Sequence, residues 1–105
     1  MTTAIADRGS GGSTGLYTSQ AIVNGTPAVA YYNNTDTNLM FARNSAADGS
    51  GTWSVTTVDT IGTVGQYPSL VVVNGNPAIS YFDQTNGHLK YVRATDASGT
   101  AWGTP

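Results

Sequence analysis

The feature that most narrows what this chain can fold into is a repetition. Residues 73–83 read VNGNPAISYFD, and fifty positions earlier residues 23–33 read VNGTPAVAYYN. Under the same shift Gly15, Tyr17 and Ser19 fall on Gly65, Tyr67 and Ser69, while Thr35, Leu39 and Arg43 fall on Thr85, Leu89 and Arg93. Trp53 and Trp102 correspond as well, with the segment before the second Trp one residue shorter. A supersecondary unit that recurs at a period near fifty marks architectures in which each unit buries its apolar surface against a neighbour, because it cannot do so alone.

Within each unit, runs of β-branched and aromatic residues alternate with Gly, Pro and Asn. They predict strands over 2–7, 17–23, 27–33, 39–44, 53–59, 67–73, 77–83 and 89–94, with a stub at 102–105. No stretch carries a helical period. Asn24-Gly25 and Asn74-Gly75 predict two-residue type I′ hairpins, since both central positions of that turn require positive φ. Pro27 and Pro77 lack an N–H and suit a strand start. Each unit therefore reads as a four-stranded antiparallel meander.

The pattern inside the strands says how the sheets pack. A sheet with one wet face alternates apolar and polar residues, yet Leu70, Val71, Val72 and Val73 are apolar on both faces, as are Ala78, Ile79, Tyr81 and Phe82. With no helix to cover them, another sheet on each side is the simplest solution: four-stranded blades stacked around an axis. Polarity rises from LVVV through HLKYVR to WSVTTVDT, as expected if the first strand lines the centre and the fourth the rim.

Composition removes several function classes. Of 105 residues 39% are hydrophobic and 10% charged, with a net charge of -2. Lys90, Arg8, Arg43 and Arg93 are scattered, so nucleic acid, which needs clustered cations, is not an expected partner. There is no Cys, which excludes disulfides, thiolate catalysis and Cys-ligated metals. No apolar run approaches the roughly 20 residues of a membrane-spanning helix, and MTTAIADRG lacks the pattern of a signal peptide. Compartment stays open.

The chain divides into an N-terminal outer strand with a Gly/Ser-rich link (1–14), a first unit (15–60) and a second unit (61–105) with a short outer strand. The second unit stops at Trp102-Gly103-Thr104-Pro105, whereas the first continues from Trp53 to Asp59. At the other end, Thr3-Ala4-Ile5-Ala6-Asp7 can be laid on Val55-Thr56-Thr57-Val58-Asp59, so the N-terminal segment reads as a fourth strand displaced to the front. Two units cannot close a ring, which takes at least about four blades and typically up to about eight. The expectation is a cyclic homo-oligomer of three to five copies, four favoured, joined head to tail.

These residues resemble a widespread class of bacterial tandem-repeat β-propeller blades. GQYPSLVVVNGNPAISYFDQTNGHLKYVRATD and GLYTSQAIVNGTPAVAYYNNTDTNLMFAR follow a pattern similar to S-L-x-x-x-x-G-x-P-x-I-S-Y-Y-D-x-x-x-x-x-L-K-Y over nearly the whole chain. The resemblance implies the fold and leaves activity open, because propellers host unrelated functions. Members run through many blades, so two blades ending inside a strand would fit a trimmed or engineered fragment. The hairpins Asp48–Trp53 and Asp96–Trp102 are similar to the structural Asp-box turn of sialidase-type propellers, although a sialidase site would need an arginine cluster and a Tyr–Glu pair, and the chain has no Glu.

No catalytic, metal or cofactor residues can be read. His88 corresponds to Asn38 and Asp83 to Asn33, so neither carries a shared reactive group, and calcium-loop motifs are absent. Asn24 and Asn33 lie in glycosylation sequons. Arg43 and Arg93 recur two residues after an aromatic: each either packs its stem between blades with its head on an Asp or on carbonyls, or lines a polar groove between blades. Tyr17, Tyr67, Trp53 and Trp102 recur likewise, as inter-blade packing or as stacking platforms for a sugar. The reading is a non-enzymatic, self-assembling subunit; the alternative is a carbohydrate-binding propeller lectin with sites between blades.

Overall fold

The computed structural model describes residues 5–7 and 14–105. It is all-β and antiparallel, with β1 (Thr14–Val23), β2 (Thr26–Asn33), β3 (Asn38–Asn44), β4 (Trp53–Asp59), β5 (Val64–Val73), β6 (Asn76–Asp83) and β7 (His88–Arg93). The first four form one sheet in the order β1-β2-β3-β4 and the last three a second in the order β5-β6-β7. The second sheet is thus three-stranded where four were expected. Among the described residues its outer strand is represented by a single bridge, from Ala94 to Trp102. Of the strand expected over 2–7, Ile5, Ala6 and Asp7 are described and are not in a strand, and the rest of that segment lies outside the described residues.

The two sheets share one register. Val23 pairs with Thr26 and Val73 with Asn76, around hairpins whose central residues all have positive φ: Asn24 at 47°, Gly25 at 82°, Asn74 at 49° and Gly75 at 79°. This is the geometry of a type I′ turn. β1 and β5 start three residues earlier than the sequence predicts because the chain stays paired through a bulge. Tyr17 and Tyr67 take φ of 53° and 52°, and the register shifts twice in each strand, between Thr14 and Leu16 and between Leu16 and Ser19 in β1, and between Val64 and Gln66 and between Gln66 and Ser69 in β5. An extra residue inserted in this way bends a strand without ending it.

The main core lies between the sheets. Val23, Ala28, Ala30, Leu39 and Phe41 of the first pack against Val64, Leu70, Ile79, Tyr81 and Val92 of the second. Since alternate residues of a strand point to opposite faces, Val29, Tyr31, Met40 and Ala42 project the other way, away from the second sheet. There Tyr31, Met40 and Ala42 form a smaller cluster with Ala6, Val29 and Trp53. The sheets come closest where β5 meets β1 and β2, and β4 makes no comparable backbone approach to the second sheet. They therefore splay outward from their first strands.

The β2–β3 turns show where the chain carries strain. Thr37 N–H donates to Asn33 O at 2.7 Å, as Gly87 N–H does to Asp83 O at 2.8 Å. Thr37 holds φ of 58° and Gly87 of 70°, and a β-branched residue is disfavoured in that region. Thr37→Gly should therefore stabilise the chain by up to about 1 kcal/mol, the left-handed penalty less the entropy cost of glycine. Chemical denaturation checks this, and a loss of stability would refute it.

Candidate functional site

The joint between the sheets is built from two knobs, two hollows and a polar anchor. The knobs are Leu39 and Phe41, alternate residues of β3 that point at the second sheet. Leu39 lies over Gly65: a Cβ on that glycine would stand 2.6 Å from Leu39 Cα and 2.8 Å from its Cβ, so only glycine admits this approach. Phe41 lies over Gly99, where a Cβ would meet Phe41 Cε2 at 2.7 Å and Pro77 Cγ at 3.1 Å. The Phe41 ring meets Trp102 edge to face, centroids 5.2 Å apart, a favoured aromatic geometry.

The anchor is Asp59, buried at the end of β4. Its Oδ2 accepts from Tyr81 OH at 2.6 Å and from Lys90 Nζ at 2.8 Å, and its Oδ1 accepts from Ile61 N–H at 3.0 Å. Burial by itself raises the Asp59 carboxyl, but the hydrogen bonds from Lys90, Tyr81 and Ile61 outweigh it and hold the group below its ordinary value. Burial, followed by the Asp59 carboxylate, pushes the Tyr81 hydroxyl far above the usual phenol range. Asn24 Nδ2–H donates to Ser98 Oγ at 3.0 Å and Leu70 N–H to Ser19 Oγ at 3.0 Å, tying the sheets at two further points.

The outer faces of the two sheets carry residues that correspond to those of the joint. The second sheet presents its own knobs outward: Leu89 corresponds to Leu39 and is 82% exposed where Leu39 is 0%, and Tyr91 corresponds to Phe41 at 52% against 1%. Val73 likewise stands at 37% where Val23 is 0%. The outer face of the first sheet presents the hollows. Gly15, the counterpart of Gly65, has nothing within 4 Å of where a Cβ would lie. A cleft of about 380 Å³ is lined by Pro27, Gly49 and Trp53, the counterparts of Pro77, Gly99 and Trp102, together with Ala6, Gln20, Val29 and Asp48. Two buried polar atoms without a partner, Thr14 Oγ1 and Trp53 Nε1, lie on the same side.

The residues singled out from sequence fall as follows. Arg43 donates from Nε to Val23 O and from Nη2 to Asn24 O, both at 2.9 Å; Arg93 does the same to Val73 O at 2.9 Å and Asn74 O at 3.0 Å. Each guanidinium thus caps the carbonyls of its own type I′ hairpin. Arg43 also borders a groove between the sheets of about 100 Å³ that includes Ser45, Ser54, Thr56, Ser98 and Thr100, well below the roughly 300–1,000 Å³ of small-molecule sites. Trp102 donates from Nε1 to Gly99 O at 2.9 Å and packs on Phe41. Tyr17 and Tyr67 meet each other, ring centroids 4.4 Å apart, and hydrogen bonding to Tyr67 raises the Tyr17 hydroxyl.

His88 is exposed at the start of β7. Asp83 and Asn33 both order their β2–β3-type turns, Asp83 accepting from Asn86 and Asn33 from the N–H groups of Thr35 and Asp36. Asn33 is buried, with its amide donating to Asp36 Oδ2 at 3.1 Å. Among the described residues no group of three or more His, Cys, Asp or Glu could hold a metal ion. Sequence reasoning passed over Asp59, Tyr81 and Lys90. The signal was present: Asp7 and Asp59 end matching segments, Tyr31 and Tyr81 match as well, and Tyr31 OH donates to Asp7 Oδ2 at 2.6 Å as Tyr81 does to Asp59.

Asp59 carries a testable pH signature. Because its folded pKa is depressed, it stabilises the fold above the ordinary carboxylate value and that contribution is lost as pH falls through the folded value. Asp59→Asn should cost about 1–3 kcal/mol at neutral pH, the scale of charge-assisted hydrogen bonds, and should flatten the acid limb of a stability–pH curve measured by thermal melts. An unchanged acid limb would show that the anchor does not act this way. No family model matches the chain, no curated protein matches it, and no solved structure matches it.

Proposed function

We propose that the chain is a structural subunit that assembles head to tail with copies of itself, the outer face of one second sheet docking on the outer face of the next first sheet, until a closed β-propeller results. Three to five copies would give six, eight or ten sheets, with four copies favoured. The observation that carries this reading is the matched pair of unfilled surfaces. Leu89 and Tyr91 repeat the knobs that the chain already buries, and Gly15 with the Pro27–Gly49–Trp53 cleft repeats the hollows that receive them. Such an interface is heterologous, and a rotation that closes makes it finite. The outward splay of the two sheets supports a rotational relation between neighbouring sheets.

Energetics favour the ring over open intermediates. Burying what remains exposed of Val71, Val73, Leu89 and Tyr91 is worth roughly 3–7 kcal/mol, at about 1.5–3 kcal/mol for a large side chain going from fully exposed to fully buried. Bringing two bodies together costs about 4–15 kcal/mol. A single joint is therefore near break-even at best. The last joint of a ring forms within one particle at high effective concentration and avoids most of that cost.

Native mass spectrometry, with light scattering in solution, should accordingly find one closed species with little dimer or open ladder. Leu89→Asp should leave the chain folded, since the residue is exposed, and abolish assembly. Gly15→Ala should cost the subunit about 1–2 kcal/mol of backbone strain and weaken assembly at least tenfold by blocking the place of the incoming leucine. A folded wild-type monomer at high micromolar concentration would overturn the reading, as would rings formed undiminished by both variants.

A further inference from the structure

Among the described residues β7 of the second sheet is paired on its outer side only near Trp102, while β3 of the first sheet is paired along its length by β4. In the first sheet the pairing runs Leu39 to Asp59, Met40 to Thr57, Phe41 to Thr56, Ala42 to Val55, Arg43 to Ser54 and Asn44 to Trp53. In the second, Ala94 meets Trp102 and Gly103 N–H donates to Arg93 O at 3.0 Å, reproducing the Trp53 end of that ladder. The other end, beside Leu89 and Lys90, has no strand from the same chain among the described residues. In the first sheet it is occupied by Thr57, Val58 and Asp59.

The residues that match those three are Ile5, Ala6 and Asp7, and their position is informative. Asp7 accepts from Tyr31 OH at 2.6 Å, as Asp59 accepts from Tyr81 OH at 2.6 Å. Ala6 packs with Tyr31, Val29 and Trp53. Asp59 reaches Tyr81 from the outer strand of the sheet in front, so Asp7 stands where the outer strand of a sheet in front of the first one would end. The connections agree: Asp59 leads to β5 through four residues and Asp7 to β1 through six.

We propose that the outer strand of the second sheet is completed in trans, with Trp102 of one copy at one end and Ile5, Ala6 and Asp7 of the next copy at the other, placed against Lys90 and Leu89. The inference rests on the head-to-tail ring and adds to it the identity of the strand that seals each joint. Completion by the same copy's own Ile5, Ala6 and Asp7 is excluded by distance. Ala6 and Asp7 lie on the side of the first sheet facing away from the second, and with sheets about 10 Å apart they stand roughly 20 Å from β7 of their own chain. The exchange also covers an open sheet edge, which would otherwise invite irregular pairing.

The test joins the two halves covalently. The chain has no cysteine, so Ile5→Cys with Lys90→Cys introduces the one pair able to oxidise; directly opposed antiparallel residues lie about 4.5–5.5 Å apart at Cα, within disulfide reach. Exchange in trans predicts covalent multimers on a non-reducing gel, up to the copy number that native mass spectrometry gives for the wild type. Rings that yield only cross-linked monomer, or no cross-link, would overturn the exchange and leave the ring intact; a wild type that never assembles would overturn both. Because Lys90→Cys also removes the Asp59 ion pair, a chain lacking residues 1–7 supplies a second reading. It should remain folded and assemble at least tenfold more weakly, and undiminished assembly would overturn the exchange.

Discussion

Everything in this molecule depends on how closely β3 of the first sheet can approach β5 and the hairpin that follows β7. Leu39 and Phe41 are fully buried only because Gly65 and Gly99 have no Cβ in the way. A methyl at Gly65 would collide with backbone, which cannot give way as the end of a flexible side chain can. The joint is therefore set by the absence of atoms at two positions as much as by the apolar residues that fill it. Loss of either glycine would separate sheets whose common core supplies most of the burial in the chain.

Polar groups at the joint select its geometry rather than add much net energy. Asp59 is out of water, and a buried carboxylate is tolerable only when its lone pairs are satisfied. Tyr81, Lys90 and Ile61 do this from three directions, so the second sheet cannot slide along the first without stranding a charge. The first sheet carries Met40 where the second carries Lys90. A joint made through Asp7 and Tyr31 would thus keep the hydroxyl–carboxylate bond and lack the ion pair. The remaining recurrent polar residues serve turns: Arg43 and Arg93 hold the type I′ hairpins, and Asn44 holds the hairpin before Trp53 through Gly49 and Gly51.

The Tyr17–Tyr67 contact shows where pattern reading gave out. Gly15 and Gly65 look like breaks before a strand, and the predicted strands begin after them. In three dimensions the chain crosses these glycines without leaving the sheet, and both tyrosines adopt left-handed φ so that the ladder resumes one residue out of step. A bulge depends on the hydrogen bonds offered by β2 and β6, long-range partners to which local propensity is blind. The type I′ hairpins were legible for the opposite reason. Asn-Gly carries its conformational preference within two residues, and the register on either side follows from it.

From the amino-acid order alone came the all-β class, the two matching units and the hairpin positions, because all of these follow from side-chain period and local backbone preference. Which residues mate across the joint required the folded chain. Asp59 with Tyr81 and Lys90, Phe41 with Gly99, and Leu39 with Gly65 are separated by at least twenty positions, and although Asp59 and Tyr81 recur as Asp7 and Tyr31, recurrence does not say which residues touch. Only packing two twisted sheets at contact distance selects them, and only that packing shows which face of each sheet has been filled and which still presents its knobs and hollows.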